Sequence, residues 1–175
     1  MAHVKRLAAG LALLAGLGVR AQAASIPLEY AVKASYLYKF APFVQWPPSA
    51  FSTPNAPLVI CIAGPDPFGG ALNEAVRGQR VGSHPIVVRR VETVRPGMGC
   101  QILFVGGEDT EEDLQAVAHE PILTVTDRSR GGIGGMIQFV TVRGRVRFAI
   151  NQSAAQECGI AISSKLLGLA VSVNK

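Results

Sequence analysis

The chain has 175 residues, 49% of them hydrophobic and only 17% charged, with 17 Lys and Arg against 12 Asp and Glu. That balance excludes a disordered chain and suits one domain with an ample core. The formal charge of +5 does not argue for nucleic acid, because part of it sits in the first twenty residues.

Residues 1–23 read as a cleavable signal peptide. A basic start containing Lys5 and Arg6 precedes an uncharged run from Leu7 to Val19, and Ala21-Gln22-Ala23 supplies the small residues of a cleavage site. The run is shorter than the roughly 20 apolar residues of a membrane anchor, which is the competing reading. Cleavage before Ala24 leaves 14 basic residues against 12 acidic, a net charge near +2. The segment 24–175 is expected to be one exported domain. Of Cys61, Cys100 and Cys158, two are expected to pair in an oxidising compartment. Spacing alone does not choose the pair.

Tyr30, Ala34, Leu37, Ala41 and Val44 recur at helical spacing and predict a helix over Leu28–Ala41, ending or kinking at Pro42. Ser49 to Pro57 is a loop. Leu58 to Ala63 is a buried strand, and Asp66-Pro67 reads as the cap and first position of a helix reaching Arg77 and stopping at Gly78. Pro85 to Val91 and Ile102 to Val105 are further strands, with a turn at Pro96–Gly99 between them. Thr110 is expected to cap a helix with Glu111, Glu112 and Asp113 in its first turn. Ile122 to Thr126 is a fourth strand and Gly131–Gly135 a flexible loop. Met136–Val142 and Arg145–Ile150 flank a hairpin turn at Arg143-Gly144. Asn151 or Ser153 caps a short helix ending at Gly159, and Ser163 or Ser164 opens a last helix running through Val173. Strands alternating with helices imply parallel pairing, and the hairpin adds an antiparallel part. The expected fold is a single layered α/β domain with a mixed, partly parallel sheet flanked by helices.

Chemistry is sparse. A phosphate-binding P-loop, a dinucleotide fingerprint, G-x-S-x-G, H-E-x-x-H and C-x-x-C are all absent. After cleavage only His84 and His119 remain, far apart, so no metal site and no cofactor are expected. Asp66 and Asp127 follow strands, where α/β domains bind ligands; each also reads as a plain helix cap or turn former. Arg145 and Arg147 share one face of their strand, opposite Val146, Phe148 and Ile150. They form either a charged, aggregation-resistant edge or a docking surface for an acidic partner or a small anion. Tyr36, Tyr38, Phe43 and Trp46 are core by helical spacing, or an interface by their aromatic character.

The stretch Val32-Lys33-Ala34-Ser35-Tyr36-Leu37-Tyr38-Lys39-Phe40, with Phe43-Val44-Gln45-Trp46-Pro47, resembles the opening of the YfiR family. So do Cys61 to Gly69, Cys100 to Val105, Leu123 to Asp127, Gly134 to Ile137, Arg147 to Asn151 and Ser164 to Ala170, in that order. The resemblance implies a periplasmic repressor that binds the periplasmic part of a membrane diguanylate cyclase and lowers cyclic di-GMP and biofilm formation. It further implies sequestration by an OmpA-type outer-membrane lipoprotein, a homodimer, and a Cys61–Cys100 disulfide open to redox control. Cys158 departs from relatives that carry a second cysteine pair. Two rival readings are a periplasmic small-ligand-binding component of another signalling system, using Asp66 and Asp127, and an uncharacterised hydrolase.

Overall fold

A computed structural model describes residues 27–175, so the expected signal peptide, residues 1–23, lies outside the described residues. The first helix, α1 (Leu28–Phe40), buries Ala34, Leu37 and Phe40 along one stripe, and the buried residue a turn before Leu37 is Lys33. The helix stops where expected, because Pro42 converts Ala41–Phe43 into a 3-10 turn. A two-residue strand β1 (Val44–Gln45) follows, and then β2 (Leu58–Ala63), α2 (Gly70–Val76), β3 (Arg80–Val81) and β4 (His84–Val91). Next come β5 (Ile102–Val105), α3 (Thr110–Ala116), β6 (Leu123–Asp127), β7 (Ile137–Val142) and β8 (Arg145–Asn151). The chain closes with α4 (Gln152–Glu157), β9 (Ala161–Ile162), α5 (Ser164–Leu167) and β10 (Ser172–Asn174). Among the described residues no helix is long and apolar enough to cross a membrane.

Eight strands form one mixed sheet in the order β10-β8-β7-β6-β5-β2-β4-β3, while β1 and β9 pair in a small antiparallel sheet. The block β7-β6-β5-β2-β4 is parallel throughout, as the alternation of apolar runs and helices predicts. The β7–β8 hairpin is antiparallel and pairs Phe139 with Phe148. Its turn is Arg143-Gly144, with φ of 50° and 70°, the left-handed pair that matches strand twist. This is a single α/β domain.

Period-two alternation sorts the strands onto two faces. Leu58, Ile60, Ile62, Ile102, Phe104, Leu123, Val125, Ile137, Phe139, Phe148 and Ile150 join α1 and α2 in the main core. Cys61, Ala63, Leu103 and Val105 face the other way and pack on Val117, Leu114 and the 92–101 connection in a smaller core. Over the hairpin this second face carries no such cover: Val142, Arg145 and Arg147 are exposed.

Four local expectations need correction. Asp66-Pro67 does not start α2; Asp66 accepts from the N–H groups of Phe68 and Gly69 in a turn, and Gly69, with φ 48°, separates that turn from the helix. Thr110 is the first helical residue and not the cap, its hydroxyl donating back to Gly107 O at 2.7 Å. The last helix is one turn long, capped by Ser163 through Leu166 N. Val173 belongs to a strand, because pairing beside β8 outweighs the weak helical preference of valine. The fourth strand is Leu123–Asp127, so Asp127 closes the ladder, paired with Phe139. Of the two caps considered for α4, Asn151 fills the role, accepting from Ala154 N.

The loops after β2 and β5 lean on each other. A Cβ added to Gly64 (φ +72°) would fall 1.9 Å from Gly106 O, whereas one on Gly78 (φ +71°) would meet nothing within 4 Å. Both Gly64→Ala and Gly78→Ala carry the left-handed backbone cost of about 1–2 kcal/mol; only the first adds a backbone collision. Thermal unfolding is expected to show Gly64→Ala melting well below Gly78→Ala, and equal melting would mean the loops part freely.

Candidate functional site

Crossing from β2 to β4 through α2 uses one face of the sheet, and crossing from β5 to β6 through α3 uses the other. The strand order therefore reverses between β2 and β5, the place where open α/β sheets hold ligands. Here that crevice is closed. Just beyond the last ladder bond, Gly106 N to Ala63 O at 3.1 Å, the Gly64–Gly106 approach leaves no room for a side chain and Pro65 packs on Gly107.

The two carboxylates expected near this end are both engaged within the chain. Asp66 pairs with Arg90 at 2.8 Å while capping its own turn. Asp127 is 1% exposed and accepts from Lys33 Nζ at 2.5 Å, and Lys33 is fully buried. Lys33 also reaches Glu29 Oε1 at 2.5 Å and Ser129 Oγ at 3.1 Å, with its ammonium 5.0 Å from the Tyr30 ring centre. The second oxygen of Asp127 takes the N–H and hydroxyl of Ser129. This network ties α1 to the end of β6. Its sequence signal was a lysine standing one turn before Leu37 on an apolar stripe.

The cysteines resolve into one bridge and one thiol. Cys61 and Cys100 form a disulfide across 39 residues with Cα atoms 5.9 Å apart. Both lie in the smaller core, at 0% and 3% exposure. Arg89 lies over the bridge, its Nη2 3.3 Å from Cys100 Sγ and 3.5 Å from Cys61 Sγ, and it donates to Met98 O. Cys158 is free and half-buried, and donates to Ala118 O at 3.0 Å. Burial, with Glu157 beside it, pushes the thiol's pKa up, so at neutral pH it stays the weakly nucleophilic thiol.

The candidate partner residues fall into two separate places. Tyr36, Tyr38, Phe43 and Trp46 are all half-buried against the main core. Tyr36 sits among Phe40, Phe139 and Phe148 with ring centres 5.7–6.1 Å away. Trp46 Nε1 donates to Gln101 O at 3.1 Å. Arg145 and Arg147 lie across the sheet from those rings, exposed on the uncovered face. The two sets approach each other only at Tyr36 and Arg145, which line neighbouring grooves that share Leu28 and Val32. Sequence reasoning named Tyr36 but missed its neighbours on the outer side of α1, where Leu28, Ala31, Val32, Ser35, Tyr36 and Lys39 line an open groove of about 460 Å³. Leu28 is 80% exposed there. A neighbouring groove of about 360 Å³ runs from Leu28 and Val32 to Thr141 and Val146 on the hairpin.

A family model described as YfiR/HmsC-like matches residues 30–171. The chain belongs to that family. The match takes in both halves of the disulfide, the Lys33–Asp127 pair and the hairpin arginines. For this YfiR/HmsC-like domain, membership supports a periplasmic regulatory role and not a catalytic one. No curated protein matches the chain significantly.

Removing one member of a buried ion pair leaves the other uncompensated and typically costs about 3–5 kcal/mol. Lys33→Ala is expected to fall in that range by denaturant titration, and Lys33→Met with Asp127→Leu to recover much of the loss. If the double variant is no better than the single, the pair is not what seats the helix. Cys61→Ser or Cys100→Ser should each lower stability by about 2–4 kcal/mol, with Cys158→Ser well below that. Equal losses at all three cysteines would mean the bridge carries no special weight.

Proposed function

We propose that this YfiR/HmsC-like protein is exported to the periplasm and represses a membrane-bound diguanylate cyclase by binding its periplasmic sensory part. The observation that carries the reading is the family match across residues 30–171, nearly the whole of the expected mature domain. Binding biases the cyclase toward its inactive arrangement, and the bias need only equal the difference in affinity for the two states. Cyclic di-GMP in the cytoplasm then stays low and biofilm formation is held down. An OmpA-type outer-membrane lipoprotein relieves repression by competing for the repressor, which acts as a homodimer.

The closed crevice between β2 and β5, and the carboxylates already engaged by Arg90 and Lys33, support action by surface contact over the small-ligand alternative. Redox control in this reading acts through folding. The sulfurs are sealed in the smaller core, so a reductant reaches them only after local opening, and reduction lowers the amount of competent repressor.

Deleting the gene in its own host should raise cytoplasmic cyclic di-GMP several-fold. The full chain should restore the low level, and a chain begun at Ala24 without an export signal should not. Unchanged cyclic di-GMP on deletion, or rescue without export, would sink the reading.

A further inference from the structure

The outer edge of β8 is open over its first half. β10 pairs only with Ala149–Asn151, and Val171 N donates to Phe148 O at 2.9 Å. Before that point, among the described residues, no strand lies beside β8 on its outer side. Alternate residues of a strand turn their N–H and C=O to the same side. Asn151 N donates inward to Met136 O, Phe148 turns outward, and Val146 therefore presents both its N–H and its C=O to the open edge.

The two faces bordering that edge differ in chemistry. On the uncovered face Arg145 and Arg147 flank Val146, with Arg143 at the turn, all exposed. Among the described residues none of the three takes part in an ion pair. On the face toward α1, Val146 borders a groove of about 360 Å³ that it shares with the apolar Leu28 and Val32 and with Thr141, and whose lining also takes in the charged Glu29 and Arg145.

We propose that this edge is a strand-addition site for an extended partner segment in which acidic residues alternate with apolar ones. The segment's backbone pairs with Val146. Period-two alternation sets its carboxylates beside Arg145 and Arg147 and its apolar side chains toward Leu28 and Val32. Charge selects the occupant. A second copy adding edge to edge about a twofold axis would set Arg145 of one chain against Arg147 of the other, and like charges opposed across strands are destabilising. The same arginines that refuse a copy of this chain attract an acidic strand. The inference rests on binding as the protein's mode of action and not on the identity of the cyclase.

The test uses the purified protein with its disulfide formed and three capped nine-residue peptides. One alternates Glu and Val, one alternates Lys and Val, and the third is the Glu peptide N-methylated at alternate amides on its pairing edge. Titrations followed by amide chemical shifts should show the Glu peptide binding at least tenfold tighter than the other two, with shifts centred on residues 144–148. Arg145→Glu with Arg147→Glu should weaken binding tenfold or more. Val146→Pro should do the same while the fold persists, because proline is tolerated where a strand N–H faces solvent. Equal binding of the Glu and Lys peptides, shifts mapping elsewhere, or no binding would overturn the proposal. Tight, edge-specific peptide binding by a protein whose deletion leaves cyclic di-GMP unchanged would support the edge site and remove the cyclase.

Discussion

The buried pair of Lys33 and Asp127 sets the terms for the rest of the domain. Taking two charges out of water costs several kcal/mol each, and only close geometry with further hydrogen bonds offsets it. Both conditions are met: Glu29 and Ser129 complete the lysine, and Ser129 completes the carboxylate. Among the described residues no buried side-chain polar atom lacks a partner. The pair fixes α1 in rotation as well as position, since a turn of the helix about its axis would strand both charges. Tyr30 is thereby brought edge-on to Phe68, which meets Phe104 in the same way. Tyr36 is wedged among the rings of β7 and β8, and what remains outward is the stripe from Leu28 to Lys39.

Parallel strands in the middle of the sheet were plain in the sequence because they are buried on both faces and read as unbroken apolar runs. Leu58–Ala63 and Ile102–Val105 need no partner to be recognised. The hairpin was equally legible, from Arg143-Gly144 and from the alternation of Arg145 and Arg147 with Val146 and Phe148. Elements whose existence depends on a distant partner were not. The two-residue strands β1 and β9 find each other across more than a hundred residues, and β10 exists only because β8 lies beside it. Asp66-Pro67 misled for another reason: an Asp that caps a turn and an Asp that caps a helix offer the same local signal.

The candidate site was legible residue by residue and not as an arrangement. The exposure of the arginines and the core packing of Tyr36 follow from period two and period 3.6 respectively. That the two lie on opposite faces follows only once α1 is placed. Lys33 stood in plain view as a charge on an apolar stripe, yet its partner is 94 residues away, beyond any local pattern. The glycines told a similar half-truth. Gly64 and Gly106 look like loop punctuation after two strands, but their lack of side chains is what lets those loops meet and close the crevice that this topology usually leaves for a ligand.

The order of the cysteines has a consequence for biogenesis. A chain that threads into an oxidising compartment N-terminus first delivers Cys61 and then Cys100 before Cys158 emerges. The native partners are thus neighbours in order of arrival, and a simple oxidant that joins thiols as they appear makes the correct bond at once. The 39-residue interval contains all of α2, β3 and β4, so in a chain exported that way the staple would enclose a unit already across when its second thiol arrives. Cys158, coming last, finds no free mate within the chain. A catalyst that reshuffles wrong pairings therefore has little to do for this domain.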